Sequence, residues 1–141
     1  MSDDFRLGRF VQAQDQHGTY PDAVRELQQG RKTSHWMWFV FPQIAGLGRS
    51  AMAQRYAIES LDEARAYLDH PVLGPRLREC AAALTAHSGS SAEEVLGGID
   101  AMKLRSSMTL FSLAAPGEAV FADVLDEYFG GERDDATVRL V

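Results

Sequence analysis

Six consecutive apolar residues, Trp36-Met37-Trp38-Phe39-Val40-Phe41, constrain this chain more than any other feature. The run contains both tryptophans and does not alternate apolar with polar residues. Whatever backbone it adopts, it must be buried on all sides. Its aromatic and β-branched composition favours a strand. A lone strand has no partner for its backbone groups, however, and every other segment reads helical. Thr33 or Ser34 can cap a short helix, and Pro42 ends it. We therefore expect a short buried helix here. A basic lead-in, Arg31 and Lys32 with His35, precedes the run. A turn, Gly46-Leu47-Gly48-Arg49-Ser50, follows it.

The remaining chain supplies helices to surround the run. Phe5 to Gln16 carries Leu7, Phe10, Val11 and Gln14 at helical spacing, with Asp3 or Asp4 as cap. Gln14 is the polar member of that stripe and reads as a boundary position or a core amide bonded to backbone. His17-Gly18 breaks the chain, and Tyr20-Pro21 opens a helix ending at Gly30. Ser50 can cap a helix through Tyr56. Ser60…Glu63 and Ser91…Glu94 have capping-box spacing. Leu73, Leu77, Cys80, Ala81 and Leu84 form one stripe, and Val120, Phe121, Val124, Leu125 and Tyr128 another. Asp100 can cap a helix reaching Leu113. The Ser88-Gly89-Ser90-Ser91 patch is the loop expected to be most flexible. The expectation is an all-α chain of about seven or eight helices, packed around Trp36–Phe41. At 141 residues it fits a single domain, 1–141.

Charge and cysteine usage narrow the function classes. The net charge is −6, which disfavours a nucleic-acid surface. The charge is uneven: residues 25–49 hold four bases against one acid, Glu26, whereas 118–141 are strongly acidic. The one cysteine, Cys80, cannot form an internal disulfide and reads as a small core residue. No apolar run approaches a membrane span, and the first residues lack a signal-peptide pattern, so a cytoplasmic protein is expected. No pair of histidines has metal-ligand spacing, and neither metal nor cofactor is expected.

Two segments carry side chains suited to chemistry. In the first, Lys32 and Arg49 are cations beside Trp36 and Trp38, and the glycine turn ends at Ser50. Such an arrangement suits a phosphate or carboxylate with a flat ring on an aromatic wall; the alternative is a tight turn with a solvated basic face. His35 is a candidate acid or base, the role imidazole commonly takes; the alternative is a buried histidine bonded to a carbonyl. In the second, Asp100, Lys103 and Ser107 share a helical face with Ser106 beside them. They read as a polar site lining or as a structural pair. Asp100 is the candidate proton-handling carboxylate, and Lys103, Ser106 and Ser107 are candidate ligand contacts. The acidic tail, with Asp134, Asp135 and Thr137, can close over such a site or cap a last helix.

With these pieces quoted, the chain resembles a bacterial family known as domain of unknown function 1810. The resemblance rests on Arg9-Phe10-Val11-Gln12-Ala13-Gln14, Gly30-Arg31-Lys32, His35 to Gln43, Gly46 to Ser50, His70 to Leu77, and Asp100 with Lys103 and Ser106 to Phe111. It implies a mainly helical single domain and no particular activity. A much looser likeness in the order of segments, ending on Gly131, Asp134 and Thr137, is to the NADAR family, helical proteins acting on ADP-ribose-type N-glycosides. The chain lacks that family's early acidic motif. Two readings follow. One is a protein, enzyme or not, binding a small anionic or nucleotide-like ligand between segments 31–50 and 100–111. The other is a non-catalytic interaction module anchored by exposed parts of the aromatic run, its protein partner unspecified.

Overall fold

A computed structural model of the chain describes residues 5–86 and 89–141. The all-α expectation holds: among the described residues no β-strand forms beyond an isolated bridge between Ile44 and Ile58. The helices are α1 Gly8–Asp15, α2 Thr19–Gln29, α3 Met37–Val40, α4 Ala51–Arg55, α5 Leu61–Asp69, α6 Leu73–Ala86, α7 Ala92–Leu96, α8 Gly98–Ala114, α9 Ala119–Phe129 and α10 Asp135–Leu140. Four of these have six residues or fewer and are little more than single turns. A 3₁₀ turn at Gln16–Gly18 joins α1 to α2.

The termini follow from local chemistry. Gly30 closes α2 in the left-handed conformation that glycine adopts without penalty. Ser91 and Glu94 form a complete capping box on α7. Ser60 caps α5, but Glu63 turns its carboxylate to the Glu59 amide and to Arg9 instead of closing the box. Asp100 does not cap α8. That helix starts at Gly98, with Gly97 before it and no side-chain cap, and Asp100 lies in its first turn. The expected cap at Asp3 or Asp4 lies outside the described residues.

α8 is the central element. It packs against α5, α7, α9 and α10 and buries ten side chains. α6 packs on α2, α5 and α9. The aromatic run lies in the same core: α3 is a single turn, as expected of a short buried helix, and Trp36, Met37, Phe39, Val40 and Phe41 are all buried. α6 approaches the end of α5 so closely that a Cβ on Gly74 would lie 2.0 Å from the Leu68 carbonyl oxygen. Gln14 is a core amide bonded to backbone and side chains. Its Nε2 donates to the Phe39 carbonyl at 2.8 Å and to Tyr67, and its Oε1 accepts from Arg76. A buried polar group is tolerated only when satisfied in this way.

Candidate functional site

The approach to the aromatic run is organised by a residue that spacing did not single out, Glu26. It lies on α2 between Ala23 and Leu27 and is 3% exposed. Its carboxylate accepts from the Thr33 amide (2.7 Å), the Ser34 amide (3.0 Å), Ser34 Oγ (2.6 Å) and Trp36 Nε1 (3.0 Å). Burial pushes the carboxyl upward. The donors outweigh it, Ser34 Oγ foremost, and hold it at about 2. Thr33 and Ser34 are thus donors to this carboxylate. The available signal was an acid alone in a basic stretch, on the apolar stripe of its helix.

Glu26 fixes the turn that delivers Lys32, whose amide donates to the Val95 carbonyl at 2.7 Å. Lys32 Nζ meets Asp100 Oδ2 at 2.9 Å, and Lys103 Nζ lies 3.5 Å from Asp100 Oδ1. Segments 31–50 and 100–111 therefore meet in space, through one carboxylate shared by two ammonium groups. Each lysine also covers a tryptophan: Lys32 lies over Trp36 at 5.2 Å and Lys103 over Trp38 at 5.0 Å. Such contacts contribute roughly 0.5–2 kcal/mol. The Lys32 side chain is only 8% exposed, and removing Asp100 would leave that ammonium buried without its carboxylate partner.

This centre sits at the start of a 17-residue helix. The first-turn N–H groups of a helix have no intrahelical acceptor, and no side chain caps these. The helix dipole adds positive potential there. Two cations and that helix end face a single carboxylate, and the sum is positive. Beside it lies an open hollow of about 330 Å³, lined by Leu96, Gly97, Gly98, Ile99 and Asp100. Ile99, in its lining, and Met102, one turn further along α8, are both largely exposed.

The other candidate residues are placed differently. Trp36 is completely buried, so it has no free face for a ligand ring. Trp38 is half-buried and His35 is exposed. Ser50 caps α4 by accepting from the Ala53 amide, and Arg49 is exposed with its carbonyl bonded to Gln54. The glycine turn is explained by packing. Gly46 has φ +102°, and a Cβ on Gly48 would lie 2.4 Å from that of Ala53. Moreover α4 has only five residues, too few to build much of a dipole. Ser106 Oγ lies 3.2 Å from Asp134 Oδ2, which also accepts from Thr137. The acidic tail is therefore tied to α8, with Asp134 capping α10. Ser107 is wholly buried, and its hydroxyl has no partner among the described residues. Among those residues no group of three His, Cys, Asp or Glu is arranged to hold a metal ion.

The family described as "Protein of unknown function (DUF1810)" matches residues 4–141. Among solved structures, the chain is similar to a conserved hypothetical protein, Rv1873, from Mycobacterium tuberculosis. The two are 51% identical over 99% of this chain and 98% of that one, with a TM-score of 0.95. No curated protein matches. No helix among the described residues is long and apolar enough to cross a membrane.

Proposed function

The chain belongs to that family of unknown function, and from the site itself we propose that it binds a small anionic or nucleotide-like ligand at the Lys32–Asp100–Lys103 centre. The observation that carries this is the excess of positive charge at the start of α8, where two ammonium groups share one carboxylate. A phosphate or carboxylate entering the hollow would meet the first N–H groups of the helix, with Lys103 on the other side of the shared Asp100 carboxylate as its counter-charge. Trp38, half-buried beneath Lys103, would supply the aromatic edge. Lys32 is buried against Asp100 and positions that carboxylate instead of reaching the ligand. If the ligand is an ADP-ribose-type N-glycoside, Asp100 is the carboxylate available to handle a proton, with exposed His35 as the second titratable group.

Calorimetric titration of ADP-ribose, ADP and ribose 5-phosphate into the wild type and Lys103→Ala tests this. The variant should bind at least tenfold more weakly, a loss of about 1.4 kcal/mol. Equal affinity in the two proteins would remove Lys103 from the site.

The interaction-module reading rests on a different patch from the one expected. The aromatic run is buried apart from half-buried Trp38, which Lys103 covers, whereas Ile99 (75% exposed) and Met102 (73% exposed) lie one turn apart in the first turns of α8. Exposed apolar side chains next to cations suit an acidic, apolar segment of a partner protein.

A further inference from the structure

A second concavity lies between α1, the α1–α2 turn and α4, and takes no part in the centre described above. It encloses about 370 Å³, within the usual size of a small-ligand pocket. The chain carries 20 acids against 14 bases, yet no acid appears among the described residues lining this cleft, while Arg9, Arg55 and His17 do.

The two arginines are not equivalent. All five donors of Arg9 are spent, on the carbonyls of Phe5, Arg6, Arg55 and Ala57 and on the Glu63 carboxylate. Glu63 is buried and matches its charge. Arg9 is therefore a structural staple. Arg55 is the opposite case. Its backbone carbonyl is held by Arg9 at 2.9 Å, and its guanidinium lies over Tyr56 at 5.6 Å. It forms no ion pair among the described residues. An exposed guanidinium resting on a ring, with open donors, is suited to a carboxylate or phosphate.

His17 faces the same cleft with a backbone φ of +54°. This left-handed conformation costs a non-glycine residue roughly 1 kcal/mol or more, and glycine would fill the position without strain. The imidazole is thus an addition that the turn does not require. Gln12 and Gln16 contribute amide groups, and Phe39, Tyr56 and Met52 form the apolar part of the wall.

We infer that this cleft is a second ligand site, for a small anion carried on a flat apolar body. Arg55 and His17 bind the anionic group, and the ring rests against the Tyr56 and Met52 side. A carboxylate and a phosphate monoester share the chemistry that these residues recognise.

The test is an NMR titration of the isotope-labelled full chain with benzoate, phenyl phosphate and neutral benzamide. The amides of residues 16–19 and 52–56 and the Arg55 Nε–H are followed. At least one anion should give saturable shifts there, with a Kd below about 1 mM, a fair affinity for a fragment of that size. The anion that saturates at the lower concentration identifies the headgroup. Benzamide should bind at least tenfold more weakly. Arg55→Gln should weaken the anion at least tenfold. His17→Gly should weaken it several-fold while leaving the melting temperature unchanged or higher, because it relieves the left-handed histidine. The inference is overturned by any of three results: equal binding of benzamide, anion affinity unchanged in Arg55→Gln, or no saturable shift at these residues. Shifts confined to residues 97–103 would assign the binding to the Lys32–Asp100–Lys103 centre and overturn it equally.

Discussion

Replacing Glu26 by glutamine should expose how much the chain relies on one interior charge. The carboxylate is held at about 2, against 4.5 for an unperturbed glutamate. That difference corresponds to roughly 3 kcal/mol of stability at neutral pH. The sign follows from the direction. A group whose folded value is depressed contributes fully above its unfolded value and loses the contribution as pH falls toward the folded one. For Glu26 the window runs from about pH 5 to about pH 2. At pH 3 somewhat less than half of the effect remains. Glu26→Gln removes this titration and leaves every other group in place. It also presents an amide NH₂ where four donors converge. The variant should be less stable than wild type at pH 7 by about 3 kcal/mol or more, and the gap should narrow by about 2 kcal/mol between pH 7 and pH 3. Urea unfolding followed by tryptophan fluorescence measures both, since Trp36 is itself one of the donors. Subtracting the two proteins cancels the titration of the other carboxylates. A gap that is the same at both pH values would refute the account of Glu26 as a charge-bearing clamp.

Three further outcomes are expected. Gly74→Ala should destabilise by about 3 kcal/mol or more, because its Cβ would collide with the Leu68 carbonyl oxygen, which is backbone and cannot swing aside; a melting point within a degree or two of wild type would contradict the packing of α6 on α5. Ser107→Ala should be neutral or stabilise by about 1 kcal/mol, since it removes a buried hydroxyl without a partner; chemical denaturation showing a loss above 1 kcal/mol would mean that a bound water or ligand satisfies it. Burial pushes the Cys80 thiol up to about 12, so it should stay inert to thiol reagents at pH 8 in the native state and react once urea unfolds the chain.

Much of the fold was legible because it rests on local signals. The 3.6-residue stripes of α6 and α9, the Ser91 capping box and the glycine stop at Gly30 are each fixed by residues within a turn or two of one another. The aromatic run was readable as a helix only by elimination, since its own composition favours a strand. The Asp100 cap was misplaced because the helix begins two residues earlier, at Gly98, and the aspartate answers a lysine 68 positions away. Site assembly was illegible for the same reason. Periodicity placed Asp100 and Lys103 on one face of one helix, but nothing local says that Lys32 closes on them, or that Lys32 arrives there because Glu26 has pinned the turn before it. Ser106 and Asp134 illustrate the converse. Ser106 reads as a ligand contact and Asp134 as either closing over a site or capping a last helix; Asp134 caps α10, and Ser106 spends its hydroxyl on it and on the Met102 carbonyl. The cleft at Arg55 was also hidden, because its lining comes from segments around residues 9–19, 39 and 52–56 that no repeat or spacing connects.

The Arg9 staple also sets an order of events during synthesis. Phe5 and Arg6 are available as soon as α1 forms, but the remaining acceptors, on Arg55, Ala57 and Glu63, lie 46, 48 and 54 residues later. At roughly 5–20 residues per second, the guanidinium waits on the order of 3–10 s for Glu63 to be made. Until then α1 lacks the three acceptors that tie Arg9 to the segment from Arg55 to Glu63 in the folded chain.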